Sequence, residues 1–264
     1  MILITGARGF VGHKLMESRD DVIAAPSLRN MSEDDIKRMV DESEADTIIH
    51  TAAMSDIGDC AADPEASHIA NVEIPVLLAK AAQGRKLVCF SSDQVYSGLE
   101  EDGPYEEENV KPANIYAEHK LEMEKRVLDI LPEAVMLRAE WMFDDYPSRP
   151  NYYSQIMAAQ GTVSFSSKQY RGITYLREVA ENVDKVIKLP GGVYNFGSET
   201  KSSMYEITCR FVDEMGLDLK VEDAPSRHNL WMNCSRAAKF GVKFSEVYDG
   251  LIRCARDNSA NNAF

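Results

Sequence analysis

Apolar residues recur along the chain in short unbroken runs, and most runs are followed by a stretch with helical spacing. "MILIT" (1–5) ends at Gly6 and predicts a buried strand. Helical patterning follows from about Val11 to Glu17, and "DVIAA" (21–25) predicts a second strand. A helix near 32–42 starts after Ser32, a residue type that caps helices by accepting a bond from a free N–H. "DTIIHTAA" (46–53) predicts a third strand, 64–83 a helix and "KLVCFSS" (86–92) a fourth strand. A loop with Pro104 and Pro112 leads to a helix through "NIYAEHKLEMEKRV" (114–127). "AVMLRAEWMF" (134–143) predicts a fifth strand and, after a helix near 176–188, "GGVYNFG" (191–197) a sixth. Strands that are apolar throughout and alternate with helices predict a parallel sheet covered on both faces, an α/β doubly wound fold of Rossmann type. Two stretches break the rhythm, 144–173 and 198–264. They are expected to form a small α+β lobe at the carboxyl edge of the sheet, where ligands of such folds bind.

The first turn carries the first chemistry. "TGARGFVG" spaces Gly6, Gly9 and Gly12 as G-x-x-G-x-x-G between a strand and a helix. One glycine makes the turn, one lets backbone amides approach a pyrophosphate, and one lets helix and strand pack closely. The helix N-terminus then offers free N–H groups to the phosphates. This predicts a dinucleotide. NAD-selective sites place an acid at the end of the second strand. Here "AAPSLRN" has no acid between Ala24 and Asn30, while Ser27, Arg29 and the loop residue Arg8 suit a 2′-phosphate. NADP(H) is the favoured cofactor, with NAD(H) the alternative. The expected division is 1–143 with 174–197 as the dinucleotide-binding domain, and 144–173 with 198–264 as the substrate-binding lobe.

Of eleven tyrosines, only Tyr116 has a lysine four residues on, at Lys120. On a helix these side chains share one face. A nearby ammonium is expected to lower the phenol pKa, so that the tyrosine exchanges a proton with a carbonyl oxygen near neutral pH. "FSSDQVY" supplies Ser91 and Ser92 at the end of the fourth strand as hydroxyl donors. His119 is expected at the surface and His50 in a hydrogen-bonded core position. Trp141 and Phe143 belong either to a substrate cleft or to the core at the sheet edge.

Composition narrows the partners. The net charge is −14 and the pI about 4.8, which argues against nucleic acid or an anionic membrane. Lys168, Arg171 and Arg227 stand out as local cations for an anionic substrate. Five cysteines with wide spacings and no CxxC argue against a disulfide framework and for a reducing cytoplasm. No apolar run approaches a membrane span, no signal-peptide pattern precedes the first strand, and no metal-ligand spacing is present.

These motifs together resemble the extended short-chain dehydrogenase/reductases, and within them the dTDP-4-dehydrorhamnose reductase family. The glycine loop, with Phe10 and Val11, is similar to the family's cofactor motif. "IHTAA" resembles its segment beside the cofactor, which implies that Ala52 and Ala53 lie there. "IANVEIPVLLAKAA" resembles the helix whose asparagine, here Asn71, supports the active site. "SSDQVYSG" resembles the strand end that places the catalytic hydroxyl on Ser92, and "YAEHK" the tyrosine–lysine motif. "SKQYRGITY" resembles a substrate loop and "RHNLWMNCSRAAKFGVKFSEVYDGLIRC" the family's C-terminal end. The resemblance implies an NADPH-dependent reductase of a keto group on a sugar nucleotide, with Ser92, Tyr116 and Lys120 catalytic and a homodimer possible. Met54, Gln94 and Arg171 depart from the family where a sugar would bind. With Asp93, Trp141, Lys168 and Arg227 they form the expected substrate set. Lys168–Thr174 and Arg227–Trp231 are expected to face each other across a cleft floored by Ser92 and Tyr116. The rivals are an epimerase or dehydratase with tightly bound NAD, and a regulatory subunit of the same family.

Overall fold

The computed structural model describes residues 1–146, 149–225 and 228–261. It divides into two compact units, one of 1–99, 107–139 and 180–195, the other of 100–106, 140–179 and 196–264.

In the first unit, β1 (Ile2–Thr5), β2 (Val22–Ala24), β3 (Thr47–His50), β4 (Lys86–Ser92), β5 (Val135–Ala139) and later β9 (Gly192–Phe196) build one sheet in the order β2-β1-β3-β4-β5-β9. β1 pairs in parallel with β2 and β3, and β4 in parallel with β3 and β5. The order reverses between β1 and β3, which marks the crevice where doubly wound sheets bind ligands. The helices are α1 (Phe10–Ser18), α2 (Glu33–Glu42), α3 (Ile57–Ala62), α4 (Pro64–His68), α5 (Ile74–Ala81) and α6 (Ile115–Ile130). Ser32 caps α2 in a full capping box with Asp35. Leu3, Ile48, Leu87 and Met136 of the strands pack with Ile36, Val40, Val76, Leu78, Met123 and Val127 of the helices. Between α4 and α5 the chain widens into a π-turn, Ile69–Glu73. Arg126 of α6 fastens that turn by donating to Glu73 at 2.7 Å.

In the second unit, β6 (Trp141–Phe143) pairs with β8 (Ile173–Tyr175), and β7 (Gly161–Phe165) with β10 (Leu219–Asp223). α7 (Tyr152–Ala158), α9 (Met204–Glu214), α10 (Ser235–Ala238) and α11 (Val247–Asn261) accompany them, and the boundary between the units falls within α8 (Leu176–Val186). Phe143, Tyr152, Tyr153, Ile173, Tyr175, Phe211 and Leu251 form this unit's core.

The run 134–143 is therefore not one strand. It breaks at Glu140, whose buried carboxylate accepts from Thr174 Oγ1 at 2.5 Å and from the Ser198 backbone N–H at 2.7 Å. These bonds commit Trp141–Phe143 to β8 and take it out of the six-stranded sheet. Residues 46–53 likewise form a strand only through His50, and α3 was not anticipated.

Candidate functional site

The glycine turn is built for close approach. Gly6 has φ +75°, and a Cβ there would lie 2.6 Å from the Ala52 backbone nitrogen. A Cβ on Gly12 would collide with the Gly6 carbonyl. These contacts bring the start of α1 against the end of β1 and the segment after β3. Gly9 is the N-cap of α1 and supplies no side-chain cap, and the first turn holds no acid. The N–H groups and positive end of the helix are thus left for an anion. Arg8, Ser27 and Arg29 are exposed, and among the described residues neither arginine side chain is bonded to a carboxylate. This set fits a phosphorylated dinucleotide.

Ser92 ends β4, and Tyr116 and Lys120 lie in the first turns of α6, capped by Asn114. All three side chains are buried. Ser92 lies near enough to the Tyr116 phenol to draw its pKa down. Lys120 Nζ donates to the Phe90 carbonyl at 2.9 Å and sits 5.7 Å from the Tyr116 ring centre. The expected lowering of the Tyr116 pKa is not what this arrangement gives. Burial pushes the phenol up and outweighs the pull of Ser92. Burial lowers Lys120 to about 8, against the pull of Cys89 and Glu124. The phenol is protonated at neutral pH, the state a proton donor needs, and its raised pKa makes it a weaker acid than a free tyrosine.

Asp93 and Gln94 are buried in a short 3₁₀ turn, Asp93–Tyr96. Ser92 Oγ donates to Asp93 at 3.2 Å, and Gln94 accepts from the cap residue Asn114 at 3.3 Å. Gln94 so fastens the turn after Ser92 to the start of α6. Asn71 lies fully buried in the π-turn and grips Met54 at both backbone groups, accepting from its N–H at 3.2 Å and donating to its carbonyl at 2.9 Å. This grip holds the Ala52–Met54 segment. Asn71 also donates to Ser67 Oγ, which is bonded to His119 Nδ1 at 2.9 Å. His119 is therefore a half-buried member of this support, not the surface residue expected.

His50 is a core residue, as expected, but only half satisfied. Its Nδ1 is bonded to Thr5 Oγ1 at 2.6 Å, while Nε2 has no hydrogen-bond partner among the described residues. Burial, then the charge of Lys120, lowers its pKa to about 3. A folded-state pKa below the unfolded 6.5 gives stability that is present above pH 6.5 and lost as pH falls towards 3. Between pH 7 and pH 4 the loss is about 3 kcal/mol. Urea unfolding at the two pH values measures it, and His50→Gln should flatten the dependence by about one proton.

In the second unit, Trp141 is 58% exposed. The Arg171 guanidinium lies 4.3 Å from its ring centre, and Arg171 is 4% exposed. Arg171 is thus a buried partner of an aromatic face, not the open cation expected. Phe143 is core. The stretches 168–174 and 229–231 do not face each other across a cleft. They are bonded directly: Arg171 bridges to Leu230, the Tyr170 N–H donates to Asn229 at 2.7 Å, and Tyr170 stacks on Trp231 at 5.7 Å. Lys168 is exposed, and Arg227 lies outside the described residues.

A Rossmann-type sheet, a glycine turn at its switch point and a Ser–Tyr–Lys constellation define an extended short-chain dehydrogenase/reductase. The chain belongs to the RmlD substrate binding domain family, which it matches over residues 1–236. It is 28% identical to methionine adenosyltransferase 2 subunit beta of Xenopus laevis, over 91% of this chain and 82% of that protein. It is 30% identical to a dTDP-4-dehydrorhamnose reductase of Mycolicibacterium smegmatis, over 73% of this chain and 61% of that one. The crystal structure of dTDP-4-dehydrorhamnose reductase from Bacillus anthracis in complex with NADP superposes with a TM-score of 0.83 at 20% identity, covering 97% of this chain and 98% of that one.

Proposed function

We propose that the protein is an NADPH-dependent reductase of a keto group on a sugar nucleotide. The observation that carries this reading is the buried set of Ser92 at the end of β4 and Tyr116 and Lys120 at the start of α6, in a unit whose glycine turn fits a dinucleotide. Reductases of dTDP-4-dehydrorhamnose among its relatives support the substrate class. Gly6, Gly9, Phe10, Val11 and Gly12 would hold the pyrophosphate, and Arg8, Ser27 and Arg29 the 2′-phosphate. Ala52 and Ala53 would lie beside the nucleotide, and Asn71 would fix them through Met54. When bound, NADPH supplies the hydride. Ser92 holds the carbonyl oxygen and Tyr116 hands it a proton. Lys120, charged below about pH 8, steadies the phenolate that forms. By residue type alone, Trp141, Arg171, Lys168 and Arg227 remain candidates for contact with an anionic substrate.

NADPH should bind more tightly than NADH. Removing one charge-assisted phosphate contact is worth about 1.5–3 kcal/mol, so Arg29→Ala should cut the NADPH affinity about 10- to 100-fold and leave NADH unchanged. Fluorescence titration checks both. A second reading, a subunit that binds a protein partner, is favoured by the likeness to methionine adenosyltransferase 2 subunit beta. The intact Ser92, Tyr116 and Lys120 weigh against it. Turnover of keto-sugar nucleotides with NADPH separates the two readings.

A further inference from the structure

Helix α6 carries a third functional-looking residue on the stripe of Tyr116 and Lys120. Glu124 stands at the next i+4 position and is 4% exposed. Its Oε1 accepts from Ser91 Oγ at 2.5 Å and from Arg138 Nε at 3.0 Å, and its Oε2 accepts from Arg138 Nη2 at 2.7 Å. Arg138 lies in β5 directly beside Ser91 of β4, and it too is buried. Arg138 Nη1 donates onward to Tyr96 Oη at 2.9 Å, and Tyr96 donates to Asn195 Oδ1 at 2.6 Å. Ser91 and Tyr96 flank Ser92 in the chain. The strand end that carries Ser92 is therefore held on both sides by one ion pair, whose acid comes from the helix that carries Tyr116.

A buried pair of this kind does not justify itself by stability. Desolvation of two charges offsets most of their attraction, and apolar replacements of like volume are often neutral or stabilising. What the two-pronged contact adds is geometry, because a bidentate fork fixes both the position and the direction of the carboxylate. We propose that Glu124 and Arg138 are a positioning pair, which holds α6 in the one rotation that sets Tyr116 against Ser92 and Lys120 against the Phe90 carbonyl. The proposal rests on the reductase reading for its kinetic consequence. It has a second consequence for Lys120. The groups around that ammonium are Tyr116 and Glu124 of α6, His50 of β3, Cys89 and the Phe90 carbonyl of β4, and Cys60 of α3. Burial raises Cys89 to about 12 and lowers His50 to about 3, so both are neutral near pH 8. Glu124 supplies the negative charge that favours protonated Lys120.

Two variants test the pair. The double replacement Glu124→Leu with Arg138→Met removes both charges at similar volume. It should still fold, with a lower melting temperature because Ser91, Tyr96 and the Glu107 carbonyl lose buried partners, leave the KM for NADPH within about twofold and lower kcat at least about tenfold. Glu124→Gln should move the alkaline limb of the kcat profile, and the NMR titration of labelled Lys120, to lower pH. A folded double variant with kcat within twofold of the parent overturns the positioning role. If the double variant does not fold, an unmoved Lys120 titration in Glu124→Gln overturns the proposal. The NMR arm needs no substrate. A parent protein that turns over no keto-sugar nucleotide removes the reductase reading, and the pair is then decided by that titration.

Discussion

Tyr116→Phe lowers kcat about a hundredfold or more, the range for losing a positioned proton donor, while NADPH affinity stays within about twofold. The variant removes one oxygen from a buried ring. What it loses is the hydroxyl beside Ser92 and the proton it carries at neutral pH. Steady-state rates with a keto-sugar nucleotide and titration with NADPH measure the two halves of the result. Near-parental turnover would make Tyr116 a core tyrosine with no part in the chemistry.

Gly12→Ala carries the second large effect, and it falls on the cofactor instead. The new methyl group collides with the Gly6 carbonyl, which is backbone and has no rotamer to yield. Relief requires α1 to move off β1. Overpacking of this kind costs about 1–3 kcal/mol of stability. The N–H groups at the start of α1 shift with the helix, and two charge-assisted phosphate bonds at about 1.5–3 kcal/mol each are weakened. NADPH affinity should fall on the order of a hundredfold. Calorimetric titration and a melting curve check it. A variant that binds NADPH as the parent does would separate the glycine turn from the nucleotide.

The residues most legible in the sequence are those whose partners lie nearby in the chain. "MILITG" gives a strand and its turn, because an apolar run ends where a glycine at positive φ must sit. Ser32 gives a helix cap, which the structure completes with Asp35, and Tyr116 with Lys120 gives a shared helix face, because the needed spacing is local. The central sheet followed from the alternation of apolar runs and helical stretches. What the sequence does not expose is pairing across the fold. Glu140 looks like one polar residue in a long apolar run, and only Thr174 and the Ser198 N–H, far along the chain, turn it into the break between two strands. Arg138 inside "VMLRA" signals a buried cation, but nothing local names Glu124 as its partner. The Tyr116 pKa escapes the sequence for a related reason. Spacing shows that Lys120 is near, but not that burial outweighs it. Arg171 counts as a free cation in the sequence and becomes the backing of Trp141 in the structure.

Hydride transfer to a sugar nucleotide is the central claim, and isotope tracing tests it most directly. The protein is incubated with NADPH deuterated at the transferring carbon and a nucleotide carrying a keto sugar, and the products are weighed by mass spectrometry. The account predicts a product heavier by one deuterium, delivered as hydride, and one proton, with an equal amount of NADP⁺ formed, and both formed about a hundredfold more slowly in Tyr116→Phe. Unlabelled sugar nucleotide recovered unchanged, or altered without consumption of NADPH, would contradict it.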